Sequence, residues 1–239
     1  TLENEVYKYT QETLQEFVNS GVTPAWVQVG NEVAGGFLWP LGKISSDDAR
    51  QWQNFVRLQN AGALAIRELL PNALILVHLE SGGDSQRVQW WLNNAQKFGL
   101  DNYDVLGLSY YTQWSGSLVQ LSKTLNVVTS TFKKPVVIAE TAYPWTSKRF
   151  GNDVIDTSKA PLAAHPLTKD GQKKFVLSLE KLLRQQPANR GLGLWWWEPM
   201  AMKVLSASGA ITWNGGMANS TLIDSDGRVL PALSALNGQ

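Results

Sequence analysis

The sequence predicts an α/β fold on a parallel sheet, of the (β/α)8 barrel kind. Three observations lead there. Short strands that are apolar on both faces alternate with helices that carry a single apolar stripe. Each strand runs out into polar or aromatic residues, as at the C-terminal mouth of a barrel. No Gly-rich phosphate loop follows any strand, which leaves the open doubly wound sheet without support.

The elements follow in order along the chain. Residues 5–19 read as a helix with Leu14, Phe17 and Val18 on one face, and Gly21 stops it. Trp26 to Val29 is an apolar strand. Ser46-Asp47-Asp48 offers an N-cap and an acidic first turn. Trp52, Phe55, Val56, Gln59, Ala63, Ile66 and Leu70 then form a helical stripe, which Pro71 ends. "ALILVHL", 73–79, is the next strand. A helix marked by Val88, Trp91, Leu92 and Ala95 ends near Gly99, with Asp84 placed to cap it. "DVLGLSYY", 104–111, is the third strand, and Leu118, Leu121, Leu125 and Val128 mark its helix. "PVVIAE", 135–140, is the fourth, with proline at the first strand position, where a missing N–H is tolerated. A long loop covers about 141–167. Thr168 caps a helix carrying Phe175, Val176, Leu179, Leu182 and Leu183. "GLGLWWW", 191–197, is the fifth strand, and the tail holds a turn at Asp226-Gly227 and a short helix opened by Pro231. Five strands are found where a closed barrel has eight.

Composition narrows the function. A formal net charge of +1 gives no electrostatic reason for a nucleic acid or an anionic membrane as partner. No apolar run approaches the ~18 residues of a membrane span. With no cysteine, thiol nucleophiles, disulfides and thiolate metal sites are excluded. Two histidines, His78 and His165, do not suggest a His-rich metal centre. Eleven tryptophans serve either a packed core or a sugar-binding surface, where flat indole faces pack on the C–H faces of pyranose rings.

Glu32 and Glu140 each stand at the C-terminal end of a strand, so a parallel barrel aims both at one mouth. A glutamate after a strand is by itself ordinary loop chemistry. Two facing carboxylates are the minimal equipment for glycoside hydrolysis, one protonating the leaving oxygen while the other attacks the anomeric carbon or activates water. Asn31 strengthens the reading, because an amide beside the acid can hydrogen-bond a sugar hydroxyl next to the reacting carbon.

Five stretches, "VQVGNEVAGGFLWPLGK", "LSYYTQW", "PVVIAETAYPW", "LWWWEPMAM" and "TLIDSDGRVLPAL", together resemble glycoside hydrolase family 53, the endo-β-1,4-galactanases. The resemblance runs from near residue 1 to about 236. It implies a (β/α)8 TIM barrel of the retaining glycosidase clan, present here as a partial barrel of strands four to eight. The first three βα units are then expected to be absent, and residues 1–239 form a single catalytic domain with an N-terminally truncated barrel. The resemblance makes Glu32 the general acid/base on strand four and Glu140 the nucleophile on strand seven, acting through a covalent galactosyl-enzyme.

Trp39 and Trp114 are candidates for stacking on galactosyl rings, and by resemblance Trp197 would floor the −1 subsite. Trp195 and Trp197 share one strand face, which turns Trp196 toward a helix. His78 ends the strand at position five and could bond the nucleophile or a sugar hydroxyl. Clan members orient the nucleophile with a tyrosine on strand six; whether that is Tyr110 or Tyr111 depends on register. Glu198 is read as a structural or sugar-contacting group. Some bacterial members hold calcium in the loop after strand seven. Asn152, Asp153 and Asp156 make no convincing oxygen ladder there, so neither metal nor other cofactor is expected. The expected partner is β-1,4-galactan, the side chain of pectin, together with the missing N-terminal segment. Secretion or export to the periplasm follows from such a substrate. The rival readings are a catalytically silent galactan-binding fragment and another β-1,4-glycanase of the clan, a mannanase or xylanase.

Overall fold

The computed structural model describes residues 1–150, 153–158, 165–201, 203–205, 211–213 and 215–236. The chain opens with α1 (Leu2–Asn19), capped by the Thr1 hydroxyl, which accepts from Asn4 N. Strand β1 (Trp26–Gln28) leads through a one-turn 3₁₀ segment to α2 (Ala49–Leu69). Then come β2 (Leu74–Leu79), α3 (Ser85–Lys97), β3 (Val105–Ser109), the single turn α4 (Thr112–Ser115) and α5 (Leu118–Asn126). The chain continues through β4 (Val136–Thr141), α6 (Lys169–Arg184) and β5 (Gly191–Trp196). An antiparallel pair, β6 (Lys203–Leu205) and β7 (Ile211–Trp213), and α7 (Pro231–Leu236) complete it.

The caps are those the sequence offers. Asp48 accepts from Arg50 N and Gln51 N, Asp84 from Arg87 N, and Thr168 from Gly171 N. Each satisfies amides that a helix start leaves without a carbonyl. The third strand ends at Ser109, two residues before its expected limit, and the β6–β7 pair lies in what the sequence presented only as tail. Three-residue strands are too short to show a period of two.

β1 to β5 pair in sequence order, every pair parallel, into the arc of a half-barrel. The helices that connect these parallel strands pack on one face of the sheet. The main core lies between helices and sheet, where Trp52, Phe55, Ile66, Ile75, Leu79, Trp91, Leu106, Leu108, Ile138 and Phe175 are buried. Trp52 alone meets Phe55, Trp90, Trp91 and Phe98 through ring contacts. Part of the tryptophan content is therefore core.

The inner face is layered. Leu76, Val105, Val137 and Ala139, with Trp26 and Leu74 against them, fill its lower part. Above them Gln28, His78 and Ser109 take the inward positions toward the strand ends, since inward side chains recur every second residue, and Glu140 joins them where a register shift between β3 and β4 breaks that alternation. Trp195 packs edge-on against Trp26, their centroids 5.5 Å apart, so the two outer strands of the arc touch across its hollow.

Candidate active site

β1 ends through a turn that calls for glycine at position 30. Gly30 sits at φ 77°, and a Cβ there would lie 2.7 Å from Val33 Cγ1. Gln59 of α2, buried, donates to Val29 O at 3.0 Å and satisfies the carbonyl just past the strand. The chain then swings Asn31 and Glu32 over the mouth, Glu32 in the left-handed region at φ 49°. A non-glycine residue held there costs on the order of 1 kcal/mol, which the surrounding turn has to offset. Glu80 Oε2 at the end of β2 accepts from Ala34 N and steadies the turn.

Glu140 reaches the same mouth by another device. β3 and β4 pair Leu108 with Ile138, but the next pair is Ser109 with Glu140, so one residue is bulged. A bulge re-aims the side chain that follows it. Here it sets Glu140 beside Ser109, whose hydroxyl donates to Glu32 Oε1 at 2.6 Å. Ser109 Oγ also lies 2.8 Å from His78 Nε2, and His78 Nδ1 lies 3.1 Å from Asn31 Oδ1. Gln28 Nε2 donates both to Gly30 O, at 2.8 Å, and to Asn31 Oδ1, at 3.0 Å. Tyr111 OH donates to Glu140 Oε2 at 3.0 Å.

Glu32, His78 and Glu140 thus each bring one polar atom within 4.8 Å of the others. Both His78 ring nitrogens already have hydrogen-bond partners, so a cation would have to break one of those bonds. The arrangement is better suited to paired-carboxylate chemistry. Burial lowers the His78 pKa to about 4, against a smaller opposing pull from Glu32, and the ring is neutral near pH 7. Burial raises the Glu140 pKa; the Tyr111 hydrogen bond opposes that shift and the Glu32 charge adds to it. The Tyr111 phenol is pushed well up, by burial first and then by Glu140, so it remains a donor.

Of the residues singled out in the sequence, Asn31, Glu32, His78, Tyr111 and Glu140 come together. Trp114, 56% exposed, adjoins them with its ring edge-on to Tyr111 at 5.3 Å. His78 bonds Asn31 and Ser109 rather than the Glu140 carboxylate. Register resolves the two tyrosines in favour of Tyr111, which bonds Glu140, and Tyr110 must be corrected as a site residue. It follows Ser109 on the opposite parity, is fully buried, stacks on Phe175, and donates to Gly116 O. Glu198 is tied to the tail, its Oε2 accepting from Gly216 N and Met217 N at 3.0 and 3.1 Å. That favours the structural half of its expected role. Trp39 is exposed, but its contacts are local: Nε1 donates to Gly35 O, and Lys43 Nζ stands 4.6 Å over the ring. Trp197, also exposed, donates its backbone N–H to Thr141 O. Trp196 turns outward as parity requires, Nε1 donating to Ser220 O.

In the loop after β4, Asn152 lies outside the described residues. Asp153 spends its carboxylate on Phe150 N and Ala218 N, and Asp156 Oδ1 accepts from Ser158. Sequence reading missed Ser109, Gln28 and Gln59. The only signal for Ser109 is a hydroxyl within the apolar run "VLGLS".

The model of the family described as glycosyl hydrolase family 53 matches residues 1–236. An arabinogalactan endo-β-1,4-galactanase of Thermothelomyces thermophilus is 28% identical over 240 residues, covering 96% of this chain and 66% of that protein. One of Cellvibrio japonicus is 33% identical over 207 residues, covering 81% of this chain and 51% of its own length. Among solved structures, a catalytic domain from Ignisphaera aggregans superposes with a TM-score of 0.87 at 28% identity, covering 98% of this chain and 64% of that one. The chain therefore spans between about half and two thirds of the length of these relatives.

Proposed function

Because the chain belongs to glycosyl hydrolase family 53, we propose that it carries the catalytic carboxylates of a retaining endo-β-1,4-galactanase. The observation that carries this reading is the approach of Glu32 and Glu140 to within 4.8 Å across one mouth. An oxygen of each lying that near the other supports a retaining pair, whose carboxyl groups stand about 5–5.5 Å apart, over an inverting one, which leaves room for water at ~6.5–9.5 Å. Glu140 attacks the anomeric carbon as the bond to the leaving oxygen breaks, and Glu32 gives that oxygen its proton. Water then attacks the galactosyl-enzyme ester, gives its proton to Glu32, and releases Glu140 as carboxylate. Tyr111 favours the ionised form of Glu140 on which the first step depends. Trp114, Trp39 and Trp197 are the candidate platforms for sugar rings along the mouth.

On this reading β1 to β5 are strands four to eight of a barrel acting as one catalytic unit. The first three βα units of such a barrel would pair at the outer edges of β1 and β5; the rival reading, a weakened or silent galactan binder, is the one that absence of turnover by the chain would favour. A pectic polysaccharide substrate goes with secretion or export to the periplasm.

The test is release of reducing ends from β-1,4-galactan, mannan and xylan by the purified chain, alone and with the N-terminal part of a family relative. Glu32→Gln and Glu140→Gln are each expected to lower galactan turnover by ~10²-fold or more. The first-formed product should keep the β configuration by NMR. Turnover of xylan or mannan alone would end the galactan claim, and an α product would end the retaining one.

A further inference from the structure

The Ser109 hydroxyl has one hydrogen and two neighbours that want it. Glu32 Oε1 lies at 2.6 Å and His78 Nε2 at 2.8 Å. The rest of the chain decides what Nε2 offers. Both hydrogens of the Gln28 amide are committed, one to Gly30 O and one to Asn31 Oδ1. This orients the Asn31 amide with its oxygen toward His78, and an oxygen there requires a hydrogen on Nδ1. A buried, neutral ring has no second hydrogen, so Nε2 presents a lone pair to Ser109.

We propose that Ser109, backed by His78, is the positioning residue that holds Glu32 in both of its protonation states. With Glu32 protonated, its O–H donates to Ser109 Oγ, the serine hydrogen turns to His78 Nε2, and every member of the row from Gln28 to Glu32 is satisfied. After Glu32 has protonated the leaving oxygen, the serine hydrogen turns back to the carboxylate. Nε2 then lacks a donor, a cost relieved when water returns a proton to Glu32. Only the hydroxyl rotates; His78 neither gains nor loses a proton. The groups that face Glu32 from other elements are His78 on β2, Ser109 on β3, Tyr111 beyond it and Glu140 on β4. Of these, Ser109 is the one that can both donate and accept at the Glu32 oxygen it touches.

This proposal rests on Glu32 being the acid, and two measurements keep the two ideas apart. The first is nitrogen-15 NMR of His78 in the intact chain at neutral pH, which needs no turnover. A hydrogen on Nδ1 and a bare Nε2 are expected; a hydrogen on Nε2 overturns the proposal. The second compares galactan with an aryl β-galactobioside whose phenolate leaves without a proton. Ser109→Ala and His78→Asn, which keeps a donor to Asn31 but loses the acceptor for Ser109, should slow galactan at least ~10-fold more than the aryl substrate. His78→Gln, which restores an acceptor near the Nε2 position, should recover part of that difference. Equal slowing of both substrates would mean a merely structural serine and overturns the proposal. Should Glu32→Gln leave galactan turnover intact, the acid assignment fails, whatever the state of the His78 ring.

Discussion

Acidification should destabilise this chain through His78 more than through an ordinary histidine. The ring is 1% exposed and its pKa is lowered to about 4, whereas an unfolded histidine titrates near 6.5. Between those values the unfolded chain binds a proton that the folded chain refuses. Stability from this group is therefore complete above about pH 6.5 and falls as the pH drops toward 4, by ~1.4 kcal/mol per unit. Below about 4 both states are protonated and the loss stops growing. A window of about 2.5 units amounts to about 3 kcal/mol, a large part of the ~5–15 kcal/mol that separates folded from unfolded chains. The assay is urea unfolding at pH 7, 5.5 and 4, on the chain and on His78→Gln. Glutamine does not titrate, so whatever it costs in packing is the same at every pH and cancels in the comparison. The native chain should lose about 3 kcal/mol more than the variant between pH 7 and 4. Parallel losses in the two proteins would refute the reasoning, because they would mean that His78 is protonated as readily inside the fold as outside it.

Removing the Tyr111 hydroxyl with Tyr111→Phe takes away the one bond that opposes the raised Glu140 pKa. In the proposed mechanism Glu140 must be ionised to attack, so the acid limb of kcat/KM should move to higher pH; an unmoved limb would take Tyr111 out of the reaction. Trp114→Ala should leave urea stability within ~0.5 kcal/mol, since the ring is mostly exposed, yet raise KM for galactan several-fold; an unchanged KM would remove it from the sugar path. Trp52→Ala deletes a fully buried indole in contact with four other aromatic rings and should cost about 3–5 kcal/mol in the same unfolding assay.

Much of this architecture is local and so was legible in the chain. Asp48, Asp84 and Thr168 cap helices because their side chains bond amides two or three residues away, a relation that spacing alone reveals. The alternation of apolar strands and striped helices made the parallel sheet readable, and two glutamates at strand ends made one mouth a natural place for both. Relations between strands were not legible. Tyr110 and Tyr111 differ only in parity, and parity acquires a direction once β3 is placed between β2 and β4. The bulge that brings Glu140 level with Ser109 is a mismatch between two strands, so neither strand carries it alone. Ser109 looked like an ordinary strand residue until Glu32 and His78, 77 and 31 positions earlier, closed on its hydroxyl. The sequence by itself determined the five main strands, the long helices with their caps and the residue types at the mouth, because those depend on neighbours along the chain. Tertiary structure decided which side chains face inward and which atoms share a hydrogen, because those depend on register, and register is set only when strands pair.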